Sequence, residues 1–549
     1  MRYRLAAMIN LPTTDYDVAI AGAGPTGLVT ATLLGLAGIR TLLLERNAGT
    51  VTEPRAVSID DESLRTMQAC GLIDQVLANV ALDYGSIYVD GGGAEFARVM
   101  PTLRDYGYPR RNAFRQPLLE ATLREGLRRF PHVDVLFGHA LEGFTQDDAC
   151  VTLTVRRGDG GIGTYRAQFL AAADGGRSMV RKAIGAKLEG SSFEERWLIV
   201  DLERTEDPLR ETRVTCDPDR PAISLPGPHR TRRYEIRLKD GETDDDILRP
   251  DSISALLAAR GPDAKSPILR KRVYTFHARR ADIWSQGRVF LLGDAAHLTP
   301  PFAGQGMNTG VRDAQNFAWK VAAVVRGTFS PRLLETYQQE RLPHAWSMIM
   351  LALRMGAVMA PHKRWIAFAT RCVFRLLSLV PPAKDYVAQM RFKPKPRFEA
   401  GFIHRPGGRG LVGTMFPQPL VETANGERIL LDQAMGPGFA LVCLTDDATP
   451  LFRSITGHPW DTLLPARVHI LPRSRAFAPE CGAQAVRDLN GFFAGKEREF
   501  ADRLFVIRPD RYVAAELPLG DITRASADFA ALCVRYGLDD AASVRQQHR

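Results

Sequence analysis

Short apolar runs punctuate the first 300 positions, and each leads into a glycine or an acid. Val18-Ala19-Ile20-Ala21 runs into Gly22 and Thr41-Leu42-Leu43-Leu44 into Glu45. Phe169-Leu170-Ala171-Ala172 runs into Ala173-Asp174-Gly175, and Val289-Phe290-Leu291-Leu292 into Gly293-Asp294. Runs this short and this rich in branched residues predict buried strands. Leu28 to Leu36 predicts a helix, and from about Thr309 the residues Val311, Ala314, Phe317, Ala318, Val321, Val324 and Val325 recur at helical spacing. Between Glu189 and Arg280 the period changes. Trp197 to Leu202, Arg232 to Leu238 and Arg272 to Ala278 predict strands, the second alternating clearly. After Arg341 the pattern is helical to about Pro381, and Lys393-Pro394-Lys395-Pro396 then connects to a last set of apolar runs at Phe439–Leu444, Val468–Leu471 and Leu504–Ile507.

The fold class this predicts is α/β (α+β): a Rossmann-like domain with an inserted sheet, a helical segment and a C-terminal domain. The expected boundaries are a disordered leader over 1–16, a discontinuous domain over 17–188 and 281–345, and the sheet over 189–280. The helical segment and linker cover 346–396, and the last domain 397–549.

Composition changes this picture little. The chain has 549 residues, 45% hydrophobic and 24% charged, enough for about two to four domains. The net charge of +10 raises the question of nucleic acid. The arginines, however, are scattered and interleaved with Glu and Asp, with no basic tail, zinc-finger spacing or RNA-binding aromatic signature, so no nucleic-acid partner is expected. The seven cysteines are dispersed without a Cys-x-x-Cys pair, which argues against a disulfide framework and fits a reducing, cytoplasmic setting. The most apolar stretch, Trp346 to Val380, is broken by Arg354, His362-Lys363-Arg364, Arg371 and Arg375, and predicts buried or amphipathic helices instead of a transmembrane segment. No metal-ligand spacing is present.

The candidate chemistry lies at the strand ends. Gly22-Ala23-Gly24-Pro25-Thr26-Gly27 follows a strand and opens a helix, with Glu45-Arg46 about 20 residues on, the context that makes a G-x-G-x-x-G pattern a dinucleotide site. Gly22 permits the tight turn, Gly24 lets a pyrophosphate approach the backbone, and Gly27 lets helix and strand pack. Glu45 can hold ribose hydroxyls. Gly293-Asp294 begins a second such unit, a strand followed by the irregular loop Pro300-Pro301-Phe302-Ala303-Gly304-Gln305-Gly306-Met307-Asn308 and then a helix N-terminus.

Taken together, Gly22-x-Gly24-x-x-Gly27, Asp174-Gly175 and Gly293-Asp294 resemble the flavin-dependent aromatic hydroxylases, the single-component FAD monooxygenases. Glu53-Pro54-Arg55-Ala56, Pro109-Arg110-Arg111-Asn112, Gln116-Pro117, Gln338-Gln339-Glu340-Arg341 and Arg391-Phe392-Lys393-Pro394 narrow the resemblance to the 3-(3-hydroxyphenyl)propionate/3-hydroxycinnamate hydroxylases, over most of the chain. The resemblance implies bound FAD, NADH or NADPH docking transiently, and O2 adding at flavin C4a to give the hydroperoxide that hydroxylates a small phenolic substrate. It puts Arg55 and Gln116 near the isoalloxazine and the Asp174 turn near the pyrophosphate. It also puts Asp294 at the ribityl or pyrophosphate region, and Gly304, Gly306, Met307 and Asn308 at the pyrimidine edge. Pro301 and Phe302 then face flavin and substrate. Phe302-Ala303 is a departure, because the resembled hydroxylase has a Trp in this loop, and resorcinol-like phenols, hydroxybenzoates and nitrocatechols stay open as substrates.

The inserted sheet is expected to roof the flavin, with Tyr234, Ile236, Tyr274 and Phe276 lining an aromatic pocket. An arginine from Arg232 to Arg237, or Arg279, would pair a substrate carboxylate. No side chain is assigned as a certain catalyst, because the chemistry is borne by the flavin. His297 is expected to be scaffold. The last domain resembles the thioredoxin-like C-terminal domain of larger aromatic hydroxylases. Lacking Cys-x-x-Cys, it would serve packing or assembly of a homodimer. The rivals are a flavin halogenase or an epoxidase, which share the fold, although the halogenase's W-x-W-x-I-P stretch is missing here, and, from a different class, a non-catalytic FAD-binding regulator or scaffold.

Overall fold

Apolar runs with no polar face need cover on both sides, and the chain supplies it by pairing them in parallel and flanking them with helices. In the computed structural model, Val289–Leu291, Ile162–Ala172, Tyr16–Ala21, Thr41–Glu45 and Val133–Phe137 form the parallel centre of one sheet, in that order. The structure describes residues 14–538 apart from 53–54, 406–409, 446, 456, 472–476, 478–481 and 496. Helix Pro25–Leu36 and the twenty-residue helix Gly306–Val325 pack on this sheet, and both are buried over most of their length. The expected leader falls mostly on residues 1–13, outside the described residues. Structure is already present at Thr14 and Asp15, whose carbonyls accept hydrogen bonds from Arg40, and the first strand begins at Tyr16.

A second, mostly antiparallel sheet of eight strands lies over the carboxyl end of the first. Its order is His297–Leu298, Ile268–Ala281, Leu188–Leu202, Arg232–Arg237, Ala222–Pro226, Thr212–Thr215, Ser86–Val89, Glu95–Val99. The last two strands come from inside the range 17–188, so pairing extends the roof beyond 189–280. The 345/346 boundary falls inside one continuous helix, Arg332–Met359. By length and composition this is the one helix among the described residues that could cross a membrane. It packs instead against Gly306–Val325 and the loop at Pro301–Ala303. The two helices after it, Arg364–Ser378 and Pro381–Ala388, are amphipathic and leave Trp365, Leu376 and Leu379 exposed.

The C-terminal part builds a seven-stranded mixed sheet with helices Thr449–Ser454 and Ile522–Arg535. It does not hang free on the Lys393–Pro396 connection. Arg65 forks onto Asp432 at 2.8 and 2.6 Å, and Arg508 reaches Glu340 at 2.7 Å, all four side chains buried. Bidentate buried pairs of this kind fix orientation, and removing one partner strands a charge. Six cysteines are free thiols, and Cys481 lies outside the described residues.

Candidate active site

Register brings the three strand-end motifs together. Ala172 pairs with Ala21 on one side and with Leu291 on the other, so the chain leaves the sheet at Gly22, Ala173-Asp174 and Leu292-Gly293-Asp294 side by side. The packing there leaves no room for side chains. A Cβ on Gly22, where φ is +104°, would stand 2.3 Å from the Ala173 carbonyl oxygen, and one on Gly27 would stand 1.9 Å from that of Gly22. Gly24 differs: its Cβ would meet nothing within 4 Å and would project toward a cavity of about 500 Å³ that Gly22, Gly24, Pro25 and Thr26 line. A glycine with ordinary φ and open space beside it is spare room for a ligand pressed against the backbone.

Around this cradle the polar atoms fit a dinucleotide. Asp174 accepts the Met179 and Val180 amides through Oδ2 at 2.9 and 3.2 Å, which leaves a buried Oδ1 without a partner at the cavity wall. Glu45 accepts the Ala23 amide at 2.9 Å and the Asn47 amide at 2.9 Å, so it also braces the glycine loop it faces. Asp294 is exposed and lines the cavity, among groups that desolvate it. That desolvation pushes its carboxyl pKa up, against the opposing charges of His297 and Arg55. Arg46, Arg55 and Arg177 add positive charge to the lining.

Gln116 works through its neighbours. Its Oε1 accepts the backbone amides of Ala56 at 2.7 Å and Arg55 at 3.2 Å, while its Nε2 donates to Glu120 at 2.7 Å. Burial raises the Glu120 pKa to about 7. Pro301, Gly304, Gly306 and Met307 line the cavity. Gly27, Gly293 and Asn308 do not; they stand behind it. Asn308 ties the loop through bonds to Gly304 O at 2.7 Å, Ser58 O at 3.1 Å and Ser63 Oγ at 2.7 Å. His297 is fully buried against Asp313 at 2.7 Å, and Asp313 also holds the Gly293 amide and Arg341. Burial alone would raise the Asp313 carboxyl, but His297 and Arg341 hold it down to about 2. The imidazole is scaffold for the turn. Glu53-Pro54, part of the motif around Arg55, lies outside the described residues.

The roof corrects the sequence reading. Tyr234 and Ile236 point away from the cavity, into a core with Leu198, Val200 and Leu257, and the Tyr234 hydroxyl donates to Asp263 at 2.8 Å. Tyr274 is not in the wall either. It sits under Arg270 and Arg272, and its hydroxyl accepts from Arg270 at 2.6 Å. Phe276 stands one layer back, edge-on to Phe302 at 5.8 Å. Side chains on a strand alternate between faces, so the cavity receives the intervening residues. Arg233 and Glu235, with Ile223 and Leu225 of the adjacent strand, form the wall. Arg233 forks onto Asp201 at 2.6 and 3.0 Å and donates to the Arg55 carbonyl at 2.7 Å, joining roof to cofactor loop. Glu235 is buried, which raises its pKa to about 6 with Arg233 opposing.

Phe302 closes this end beside Trp197, with Met355 and Met359 reaching in from Arg332–Met359. Of the expected carboxylate arginines, Arg233 is forked onto Asp201 and Arg279 is not in the cavity wall. Arg232 lies on the far face, bonded to Ser224 Oγ at 2.9 Å, and Arg237 donates to the Pro218 carbonyl at 2.6 Å. Residues that the sequence reading did not assign enter from the far side of the roof: Ser86 and Tyr88 on Ser86–Val89, Thr212 on the strand paired with it, and Tyr84 and Arg111 from adjoining loops. Lys393, read as linker, lines the cavity and bridges Asp60 and Glu62 at 3.0 and 3.1 Å.

Comparison with known proteins agrees with this geometry. The family described as FAD binding domain matches residues 15–352, and an HcaD C-terminal domain matches 413–532. The chain is 40% identical to a 3-(3-hydroxy-phenyl)propionate/3-hydroxycinnamic acid hydroxylase of Burkholderia cenocepacia, over 94% of this chain and 97% of that protein. It is also 40% identical to one of Escherichia coli, over 91% of each. Among solved structures, the anhydrotetracycline hydroxylase OxyS from Streptomyces rimosus superposes with a TM-score of 0.74 at 26% identity, covering 94% of this chain and 98% of that one. The flavin-dependent monooxygenase PieE, at 21% identity and a TM-score of 0.78 over 95% and 100%, shares the fold. The chain belongs to the single-component FAD-dependent aromatic hydroxylases, close to the 3-(3-hydroxyphenyl)propionate/3-hydroxycinnamate group.

Proposed function

We propose that this enzyme adds one hydroxyl to a phenol carrying an acidic side chain, 3-(3-hydroxyphenyl)propionate or 3-hydroxycinnamate, to give the 2,3-dihydroxy product. One observation carries the reading: a single cavity begins at the Gly22–Thr26 loop and ends under Arg233, Glu235, Ile223 and Leu225, so cofactor and an aromatic ring share one enclosure. The relatives at 40% identity, 3-(3-hydroxy-phenyl)propionate/3-hydroxycinnamic acid hydroxylases, support the substrate class.

Bound FAD, reduced by NADH or NADPH, supplies the activation of O2. The chain's own residues do the rest. Gly22, Gly24, Pro25 and Thr26 would seat the diphosphate, with Gly27 packing the helix against the loop behind them, Arg46 beside it and Glu45 on ribose hydroxyls. The Asp174 Oδ1 and Asp294 would take further hydroxyls. Gln116 holds the Arg55-Ala56 backbone against the ring, and Gly304, Gly306 and Met307 close its polar edge, braced by Asn308 and Gly293. Pro301, Phe302, Met355 and Met359 exclude water from the apolar half. Glu235 accepts the phenolic proton at its carboxylate, which enriches the ring carbon ortho to the oxygen, while Arg233 stays paired with Asp201 and holds the roof over the cofactor loop.

The same proposal divides the chain into the cofactor unit (17–188, 281–345), the roof (189–280 with the strands at 86–99), the helical connection (346–396) and a thioredoxin-like last unit (397–549). Support for the last comes from strand order. Ala440–Leu444 and Ala466–Leu471 run parallel across helix Thr449–Ser454, and the hairpin Arg503–Ile507/Val513–Pro518 lies beside them, followed by helix Ile522–Arg535.

The test is NADH and NADPH oxidation by the flavin-loaded enzyme against a panel of phenolic acids, neutral phenols and nitrocatechols, with products identified by mass. The proposal expects the fastest coupled turnover on the 3-hydroxyphenyl acids. Efficient hydroxylation of nitrocatechols or neutral phenols alone would overturn the substrate assignment.

A further inference from the structure

We propose that Arg111 is the residue that binds the substrate's side-chain carboxylate. The inference rests on the phenolic-acid reading above and adds the residue that makes the acid part of recognition.

The roof face has two polar ends. Pairing runs Glu235 to Ile223, Ile223 to Val214 and Val214 to Tyr88, so the cavity wall passes from a carboxylate through aliphatic side chains to the strand Ser86–Val89. Three strand steps separate the ends, about 14 Å of backbone from which side chains converge. At the second end stands Arg111, in the cavity wall, donating to Ser86 Oγ and lying over the Tyr84 ring with 4.7 Å from guanidinium carbon to ring centroid.

The other cavity cations have work already. Arg233 is forked onto Asp201, Arg110 donates to Asp105 at 2.8 Å, and Lys393 is held by Asp60 and Glu62. Arg46 and Arg177 follow Glu45 and the Asp174 turn, next to the cradle of an anionic diphosphate, and Arg55 belongs to the loop that Gln116 clamps. Arg111 pairs with no carboxylate among the described residues. A guanidinium held at one edge by a serine hydroxyl and stacked on a ring keeps donors free in a fixed plane, the geometry that takes a carboxylate bidentately. The Ser86 and Thr212 hydroxyls in the same wall can add donors to its oxygens.

The position also relates the acid to the reacting ring. Tyr84 donates from its hydroxyl to Ser58 Oγ at 3.2 Å, and Ser58 packs on Gly304, where an added Cβ would stand 3.0 Å away. Arg111 is therefore two side chains from the loop that closes the flavin edge. An acid fixed there, with the phenol at Glu235, holds the ring by both substituents.

The experiment compares wild type with Arg111→Gln and Arg111→Lys, all FAD-loaded, titrating 3-(3-hydroxyphenyl)propionate and its uncharged analogue 3-propylphenol by the change in flavin absorbance. In Arg111→Gln the acid should bind about 100-fold more weakly, the size of a lost buried charge pair, while 3-propylphenol changes less than about 3-fold. Arg111→Lys should recover part of the acid's affinity. FAD content and the affinity for FAD should be unchanged. Equal weakening for both ligands, or none for the acid, would overturn the assignment. Wild type that prefers 3-propylphenol to the acid would instead overturn the substrate reading on which it rests.

Discussion

The cofactor end and the roof of the cavity encode their sites in different ways. At the cofactor end the functional atoms sit where parallel strands stop, so each is marked by a local word: Gly22–Gly27, Ala173-Asp174-Gly175, Gly293-Asp294. In the roof they lie on one face of antiparallel strands, where the code is parity and a one-residue misreading exchanges wall for core. In Arg232-Arg233-Tyr234-Glu235-Ile236-Arg237 the apolar residues look like a pocket for a ring. They pack instead against helix Pro250–Ala258, and the charged Arg233 and Glu235 face the cavity. In a sheet with a hydrophobic outer layer, apolar alternation marks the core side, and the ligand lies on the other.

Substitutions at each end can break that contrast. The largest effect is expected at the cofactor end. Gly27→Val drives its Cβ into the Gly22 carbonyl and should cost on the order of 4 kcal/mol or prevent folding, read as lost soluble yield or a collapsed melting temperature. Gly24→Val, in contrast, should leave the unloaded protein's stability within about 0.5 kcal/mol of wild type, as expected of a side chain added in open space. It should nonetheless abolish FAD retention on gel filtration. Equal melting losses for the two would remove the distinction between packing glycine and ligand glycine.

Next comes the roof's cavity face. Glu235→Gln should lower kcat by about 100-fold, the size of a lost proton acceptor. In wild type, kcat should fall as pH drops below about 6, where the carboxylate protonates, and the variant should lack that limb. The same change should help the fold. The Glu235 pKa is raised from the ordinary carboxylate value to about 6, so the neutral form is favoured in the native state. That contribution is complete below the unfolded pKa and is lost as pH rises through about 6. At pH 8, Glu235→Gln should therefore be more stable by about 2 kcal/mol, seen in urea melts.

The smallest effect is expected from the residue next door. Tyr234→Phe removes a bond to Asp263 and should cost about 1 kcal/mol of stability with kcat and KM nearly unchanged. If Tyr234→Phe disables turnover and Glu235→Gln does not, the faces are assigned the wrong way round.

Much of the cofactor end was legible because its signals are contiguous, and the roof's strands were legible as strands. What was not legible depends on partners remote in sequence. Lys393 lies in a Pro- and Lys-rich stretch that looks like a solvated linker, and only folding delivers it to Asp60 and Glu62. The strands Ser86–Val89 and Glu95–Val99 join the roof through a parallel pairing with Thr212–Thr215, more than a hundred residues away. Arg111 reaches the wall with them, and nothing in its local sequence distinguishes it from Arg110, which turns to Asp105.

The central claim is that one enclosure couples reductant oxidation to hydroxylation of a bound phenol. The most direct test supplies isotopically labelled O2 to the FAD-loaded enzyme with NADH and 3-(3-hydroxyphenyl)propionate, and measures product mass against NADH consumed. The account predicts a dihydroxy product carrying one labelled oxygen for each NADH oxidised. NADH consumed with hydrogen peroxide released and no labelled product, from this substrate or any phenol in the panel, would contradict it.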